Sequence, residues 1–182
     1  MSRLSPLQKE RGARGRFRWI ALGVVGAMVT PPLLLAHGND IGLAKATLDG
    51  AHITIRYGRP KLNGRDPMKM IEPGEVWRMG ADIPTTIESN APLDFGGSKV
   101  PPGKHFLFVR WVEPGRWTLI VSSQPIAQYQ PSTKLAEAPM TLERIHMPSE
   151  KVTVSFIRRG PGERLEVSWG TYRLACEFKR AM

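Results

Sequence analysis

"KHFLFVRWVEPGRWTLIVSS", residues 104–123, decides the fold class. Pro114-Gly115 divides it into two apolar, β-rich runs. Pro presets φ for the first corner of a turn, and Gly tolerates the positive φ of the second. The first run is apolar on both faces: Leu107, Val109 and Trp111 on one, Phe106 and Phe108 on the other. A strand wet on one side would alternate apolar with polar. This run therefore predicts a central strand rather than an edge.

The same grammar continues on both sides. "KATLDGAHITIRY" (45–57) carries Asp49-Gly50 between two alternating runs, a hairpin signature because a type I′ turn needs positive φ at both centres. Ile53, Ile55 and Tyr57 face one way; His52, Thr54 and Arg56 face the other. "KVTVSFIRRGPGERLEVSWG" (151–170) is a third hairpin, turned at Gly160-Pro161-Gly162, with a last strand at roughly 171–179. Shorter strands are predicted at 85–89, 92–95 and 140–147. No stretch after residue 40 has a helical period, although "DPMKMI" (66–71) suits a single turn. Short strands with regular turn signals predict an all-β fold. The expectation is a single antiparallel β-sandwich, jelly-roll-like, over residues 39–182. One long excursion leaves the sheet at about 59–84, "RPKLNGRDPMKMIEPGEVWRMGADIP". Long loops on a β scaffold often carry function.

In front of this domain, residues 1–18 hold six Arg and Lys against one acid, half of the formal charge of +10. An apolar run, "WIALGVVGAMVTPPLLLA" (19–36), follows. Basic then apolar is the order of an export signal or a signal anchor, with the basic end left inside. A span needs about 20 apolar residues, and Pro31-Pro32 disfavours an unbroken helix. Residues 1–38 are thus expected to be a cleaved signal peptide or a retained anchor, and the domain to be periplasmic or extracellular. Membrane contact is expected only through this segment. Because half of the positive charge belongs to it, the net charge gives no argument for nucleic-acid binding. Cys176 is the only cysteine, so no internal disulfide exists. It shares a face with Leu174 and Phe178, which predicts a small buried hydrophobe.

No catalytic residue is assigned. The histidines, at 37, 52, 105 and 146, lack metal-ligand spacing. His52 and His105 lie on strands where they could meet, and Glu72, Glu75 and Asp82 share the long loop. No nucleophile elbow, phosphate loop or dinucleotide fingerprint is present, and neither metal nor cofactor is implied. The loop offers one constellation, Arg59, Arg65, Trp77, Arg78 and Asp82. An indole is a flat platform, and guanidinium groups clamp carboxylates or stack on rings. The constellation is a candidate site for an anionic or sugar-like ligand. The alternative is that Trp77 plugs the end of the sandwich and Arg78 is held by carbonyls or by Asp82.

Several stretches resemble one bacterial family: "YGRPKLNGR" (57–65), "EPGEVWRMGADIPTTI" (72–87), "VPPGKHFLF" (100–108), "RWTLIVSS" (116–123) and "LEVSWGTYRL" (165–174). Their order is similar to that of domain of unknown function 2911, over about residues 42–179. Trp77, Arg78, Gly80 and Ala81 form the most specific block. The chain departs from the pattern at Asp82, usually Asn, at Pro102, usually Ala, at His105, usually Tyr, and at 66–71, which lacks an expected glycine. The resemblance implies an exported β-rich domain without an assigned activity. Three functions stay open: a module binding an unknown small ligand or envelope component, a non-catalytic structural or assembly protein, and an enzyme using the loop carboxylates and histidines.

Overall fold

The computed structural model describes residues 38–182. The basic block 1–18 and the apolar run 19–36, read as signal or anchor, lie outside the described residues, as does His37. Among the described residues no helix is long and apolar enough to cross a membrane.

The ten strands are β1 (Asp40–Leu48), β2 (Ala51–Arg59), β3 (Val76–Trp77), β4 (Thr86–Ser89) and β5 (Leu93–Phe95), then β6 (Ser98–Val100), β7 (Gly103–Glu113), β8 (Arg116–Ser122), β9 (Lys134–Arg159) and β10 (Gly162–Arg180). They form one antiparallel sheet, ordered β1-β2-β4-β7-β8-β9-β10-β5-β6, with β3 paired to β7. The all-β antiparallel fold matches the expectation. Asp49 and Gly50 take φ +50° and +80° in the first turn, and Gly115 takes +80° in the second. In the third, Gly160 and Pro161 make the corner and Gly162 already pairs with Arg159.

The layering comes from bending one sheet, not from stacking two. The strands predicted at 140–147 and 171–179 are continuous with the third hairpin, as parts of β9 and β10. Gly170, at φ +59°, pairs with Ser149, while Tyr172 pairs with Arg144. Ile145–Pro148 therefore loops out against Thr171 alone, a large bulge that bends the ribbon. It also shifts the inward face from Trp169 to Tyr172, so a period-two reading stops there. The bend returns the tip of the hairpin to its own base: a Cβ on Gly162 would stand 2.7 Å from the Phe178 carbonyl oxygen.

The sheet does not close into a barrel. Its seam, between the end of β2 and the outer part of β9, is stitched locally. Val152 N–H donates to Pro60 O (3.1 Å) and Leu62 N–H to Glu150 O (2.7 Å). Val154 N–H donates to the Tyr57 hydroxyl (3.0 Å). The Tyr57 ring lies across its strand partner Gly42, where a Cβ would fall 2.3 Å from it.

Inside, Ile53, Ile55, Leu107, Val109, Leu119 and Val121 are buried in one core. The opposite face of β7 and β8 is covered too. Phe108 and Ile120 are fully buried there, and Tyr129, from the 123–133 connection, meets Phe108 edge-on at 5.5 Å. That cover explains why β7 is apolar on both faces. Each such side chain contributes roughly 1.5–3 kcal/mol. Cys176 is buried as predicted, and desolvation pushes its thiol up to about 12.

Candidate functional site

The 59–84 excursion divides into two unlike pieces. The later piece, Trp77–Thr85, is packed into the domain. Gly58 and Ala81 meet backbone to backbone: a Cβ on Gly58 would lie 1.8 Å from Ala81 O, and one on Gly80 would lie 2.7 Å from Gly58 O. Met79 adopts φ +57° and is 0% exposed. Its carbonyl accepts from Thr85 Oγ1 (3.3 Å). Met79, unbranched and adaptable, is thus the plug that the sequence suggested for Trp77.

Trp77 is instead half-buried on β3, opposite Val109. Its ring stacks on Trp169 at 5.8 Å with 9° between planes. Trp111 and Trp117 form a second stack, at 5.0 Å and 12°.

The earlier piece, residues 61–74, is a strap passing over these indoles. It is tied at both ends, by Leu62 N–H to Glu150 O and by Gly74 N–H to Trp111 O (2.6 Å). Between them its polar groups bond mainly to each other. Arg65 donates to Leu62 O (3.0 Å) and Lys61 O (2.9 Å). Asp66 accepts from Met68 N–H (3.0 Å), capping the single turn Pro67–Lys69. Pro67 is buried beside the Gly170 bend, whose φ of +59° disfavours any side chain there.

Strap and block enclose an open pocket of about 380 Å³. Trp77 and Trp169 line it with Pro60, Met70, Ile71, Gly80 and Ala81, and its polar groups are Lys61, Arg65, Asn39 and Asn63. Two cations and two carboxamides line it, and no carboxylate does. Beside it is a smaller space of about 30 Å³, almost wholly apolar, which shares Ile71, Trp77 and Trp169 as walls. Trp117 (2% exposed) and Trp169 (6%) carry buried Nε1–H groups with no acceptor among the described residues. A buried donor left unpaired costs about 1–3 kcal/mol.

Residues 41–178 match the family described as "Protein of unknown function (DUF2911)". The chain belongs to this family. No curated protein and no solved structure matches it. The Trp-Arg-x-Gly-Ala block of this DUF2911 chain has a physical role in the packing just described. Gly80 allows the close crossing of Gly58, and Ala81 supplies the carbonyl that fills it.

Of the five candidate residues, the structure brings Arg65 and Trp77 together at the pocket. Arg59 is occupied elsewhere, donating through Nε to Val152 O (3.2 Å) and through Nη2 to Thr153 Oγ1 (3.3 Å) at the seam. Arg78 is exposed and makes no hydrogen bond or ion pair among the described residues, so the suggested tie to Asp82 is not formed. Met79, in the left-handed conformation, turns the chain between them. Asp82 instead accepts from the backbone N–H (2.7 Å) and side-chain amide (3.0 Å) of Asn39. Those bonds hold its carboxyl below the ordinary carboxylate range. His52 and His105 have separate partners, Thr47 and Pro101. Glu72, Glu75 and Asp82 do not line the pocket. Sequence reasoning missed Lys61, Asn39, Asn63 and above all Trp169. The one available clue was "SWG": an inward tryptophan directly before a strand-breaking glycine.

Proposed function

We propose that this protein is an exported cell-envelope module that binds a small anionic, sugar-like ligand in the pocket under the strap. One observation carries the proposal. A half-buried indole, stacked on a second one, forms a wall of an open cavity whose charged side chains are both cations. A flat platform holds a sugar or ring face, and Lys61 and Arg65 neutralise a carboxylate. Arg65 is already oriented by two carbonyls, so less freedom is lost when it binds. Export rests on the basic 1–18 block and the apolar run behind it.

Calorimetric titration of the full chain with D-glucuronate tests the binding. Saturable binding is expected, weakened when Lys61 and Arg65 are both replaced by Ala. A heat signal that never saturates, with the melting temperature unmoved by the sugar acid, would leave the pocket as a by-product of loop packing. Mass spectrometry of the secreted protein tests export. A new N-terminus near residues 37–42 is expected, and an intact Met1 points to a retained anchor.

A further inference from the structure

The pocket wall includes Asn39, and the sequence places the end of the leader just before it. Gly38 is exposed, and no atom among the described residues outside its chain neighbours lies within 4 Å of the place its Cβ would take. Asn39 is the first residue that the domain holds. Its backbone N–H and its side-chain amide both donate to Asp82 Oδ2, at 2.7 and 3.0 Å. β1 starts with the next residue, Asp40. The boundary between leader and domain therefore falls at the peptide bond joining Gly38 to Asn39. Leader cleavage favours small residues one and three positions before the cut. A cut after Gly38 meets this with Gly38 and Ala36, whereas a cut after Ala36 would put Leu34 in the outer position.

The carboxylate is the second observation. Both donors on Asp82 are neutral amides, both reach one oxygen, and Oδ1 accepts no hydrogen bond among the described residues. The charged groups around the pair are Arg78, which acts on Asp82 without bonding to it, and Asp40, which is paired with Lys151. An amide N–H offers one proton and no charge. An ammonium at the same nitrogen offers three protons and a full positive charge, a stronger partner for a carboxylate.

We infer that the chain is cut between Gly38 and Asn39 and that Asp82 receives the new α-ammonium as an ion pair; this rests on the export reading above. A peptidase of the export route adds water across the peptide bond. Gly38 leaves with the leader as a carboxylate, and the proton released goes to the Asn39 amine, which becomes an ammonium. That nitrogen already stands 2.7 Å from Oδ2, so the fold need not rearrange. Because Asn39 lines the outer pocket, processing also fixes the first residue of its wall.

Two readouts on protein exported from cells expressing the full chain test this. In mass spectrometry the N-terminal peptide should begin at Asn39. A start at His37, or at any other internal residue, overturns the cut and leaves export standing. An intact Met1 on protein facing outward overturns it too, and leaves an anchored domain. Protein held whole in the cytoplasm fails both readings. The second readout is the titration of the α-amine, from the pH dependence of its acetylation by acetic anhydride, read on the same peptide. A free α-amine titrates near about 7.7–8.0. Pairing with Asp82 should raise the midpoint by at least about half a unit, so that acetylation at pH 7 is about threefold slower than in Asp82→Asn. Asn keeps the left-handed backbone and an acceptor oxygen but not the charge. Equal midpoints in the wild type and Asp82→Asn overturn the ion pair. Should the variant not fold, the wild-type chain unfolded in urea is the reference, and an unchanged midpoint overturns the pair equally.

Discussion

The strap and the block that follows it are neighbours in one loop, yet they are built on opposite principles. The block, from Trp77 to Thr85, is held by buried contact: Met79 fills the core and Gly80-Ala81 crosses Gly58 at backbone distance. The strap, from Lys61 to Gly74, is held at its two ends and bonds otherwise mainly to itself. Removing atoms from the block leaves a hole in a dense interior. Removing atoms from the strap chiefly alters what faces the pocket. A single loop can thus supply a rigid wall and a looser cover, because Met79 sits within the core while the strap reaches it only through Leu62, Pro67 and Met68.

The sharpest way to break this comparison is Gly58→Ala. The new methyl group would meet Ala81 O at 1.8 Å, and both partners are backbone that cannot rotate away. A loss of more than about 3 kcal/mol is expected in urea denaturation, beyond ordinary overpacking. A variant as stable as the wild type would show that the block is not locked to β2.

Met79→Ala and Trp77→Ala come next, as a pair. Met79 is fully buried, so its truncation should cost about 3 kcal/mol. Trp77 is larger but half-exposed, and loses chiefly its stack on Trp169. About 1–2 kcal/mol is expected, with glucuronate binding lost. If Trp77→Ala destabilised more than Met79→Ala in the same melts, the assignment of plug and platform would be reversed.

A smaller effect is expected at Arg78. It is exposed and unpaired among the described residues, so Arg78→Lys should stay within about 0.5 kcal/mol of the wild type by thermal melting. A larger loss would mean that its planar guanidinium has a partner in solution.

The smallest effect concerns Asp82. Hydrogen bonds from Asn39 lower its pKa from the ordinary 3.8. A carboxyl whose pKa falls on folding stabilises the fold above its unfolded pKa, and that contribution is lost as pH falls through the folded value. Asp82 is exposed, so the contribution is slight. The wild type should melt slightly higher than Asp82→Asn, which keeps the left-handed φ of +63° accessible, at neutral pH, and the gap should vanish well below about pH 4. A gap that persists in strong acid would place the effect elsewhere.

Local chemistry made much of this molecule legible before folding. Asp49-Gly50, Pro114-Gly115 and Gly160-Pro161 determine turns because their φ preferences act within two residues. The alternation of Ile53, Ile55 and Tyr57 assigns the face of β2 for the same local reason, and the apolar run of β7 correctly announced cover on both sides. Asp66 before Pro67 likewise gave the single turn its cap. These properties need no partner from afar.

Tertiary structure alone decided the rest. The bulge at Gly170 fuses two predicted strands into one bent ribbon, and its register depends on Ser149 and Arg144, more than twenty residues away. The same bend brings Trp169 under Trp77, so half of the aromatic platform comes from a region whose one sign in the sequence is a tryptophan before Gly170. Arg59, Arg65 and Arg78 look alike in the sequence, yet one is spent on the seam, one lines the pocket and one faces water. A side chain's type limits the bonds it can form. Which of them it forms depends on the chain brought beside it by burial of the core, and no residue's local preference encodes that.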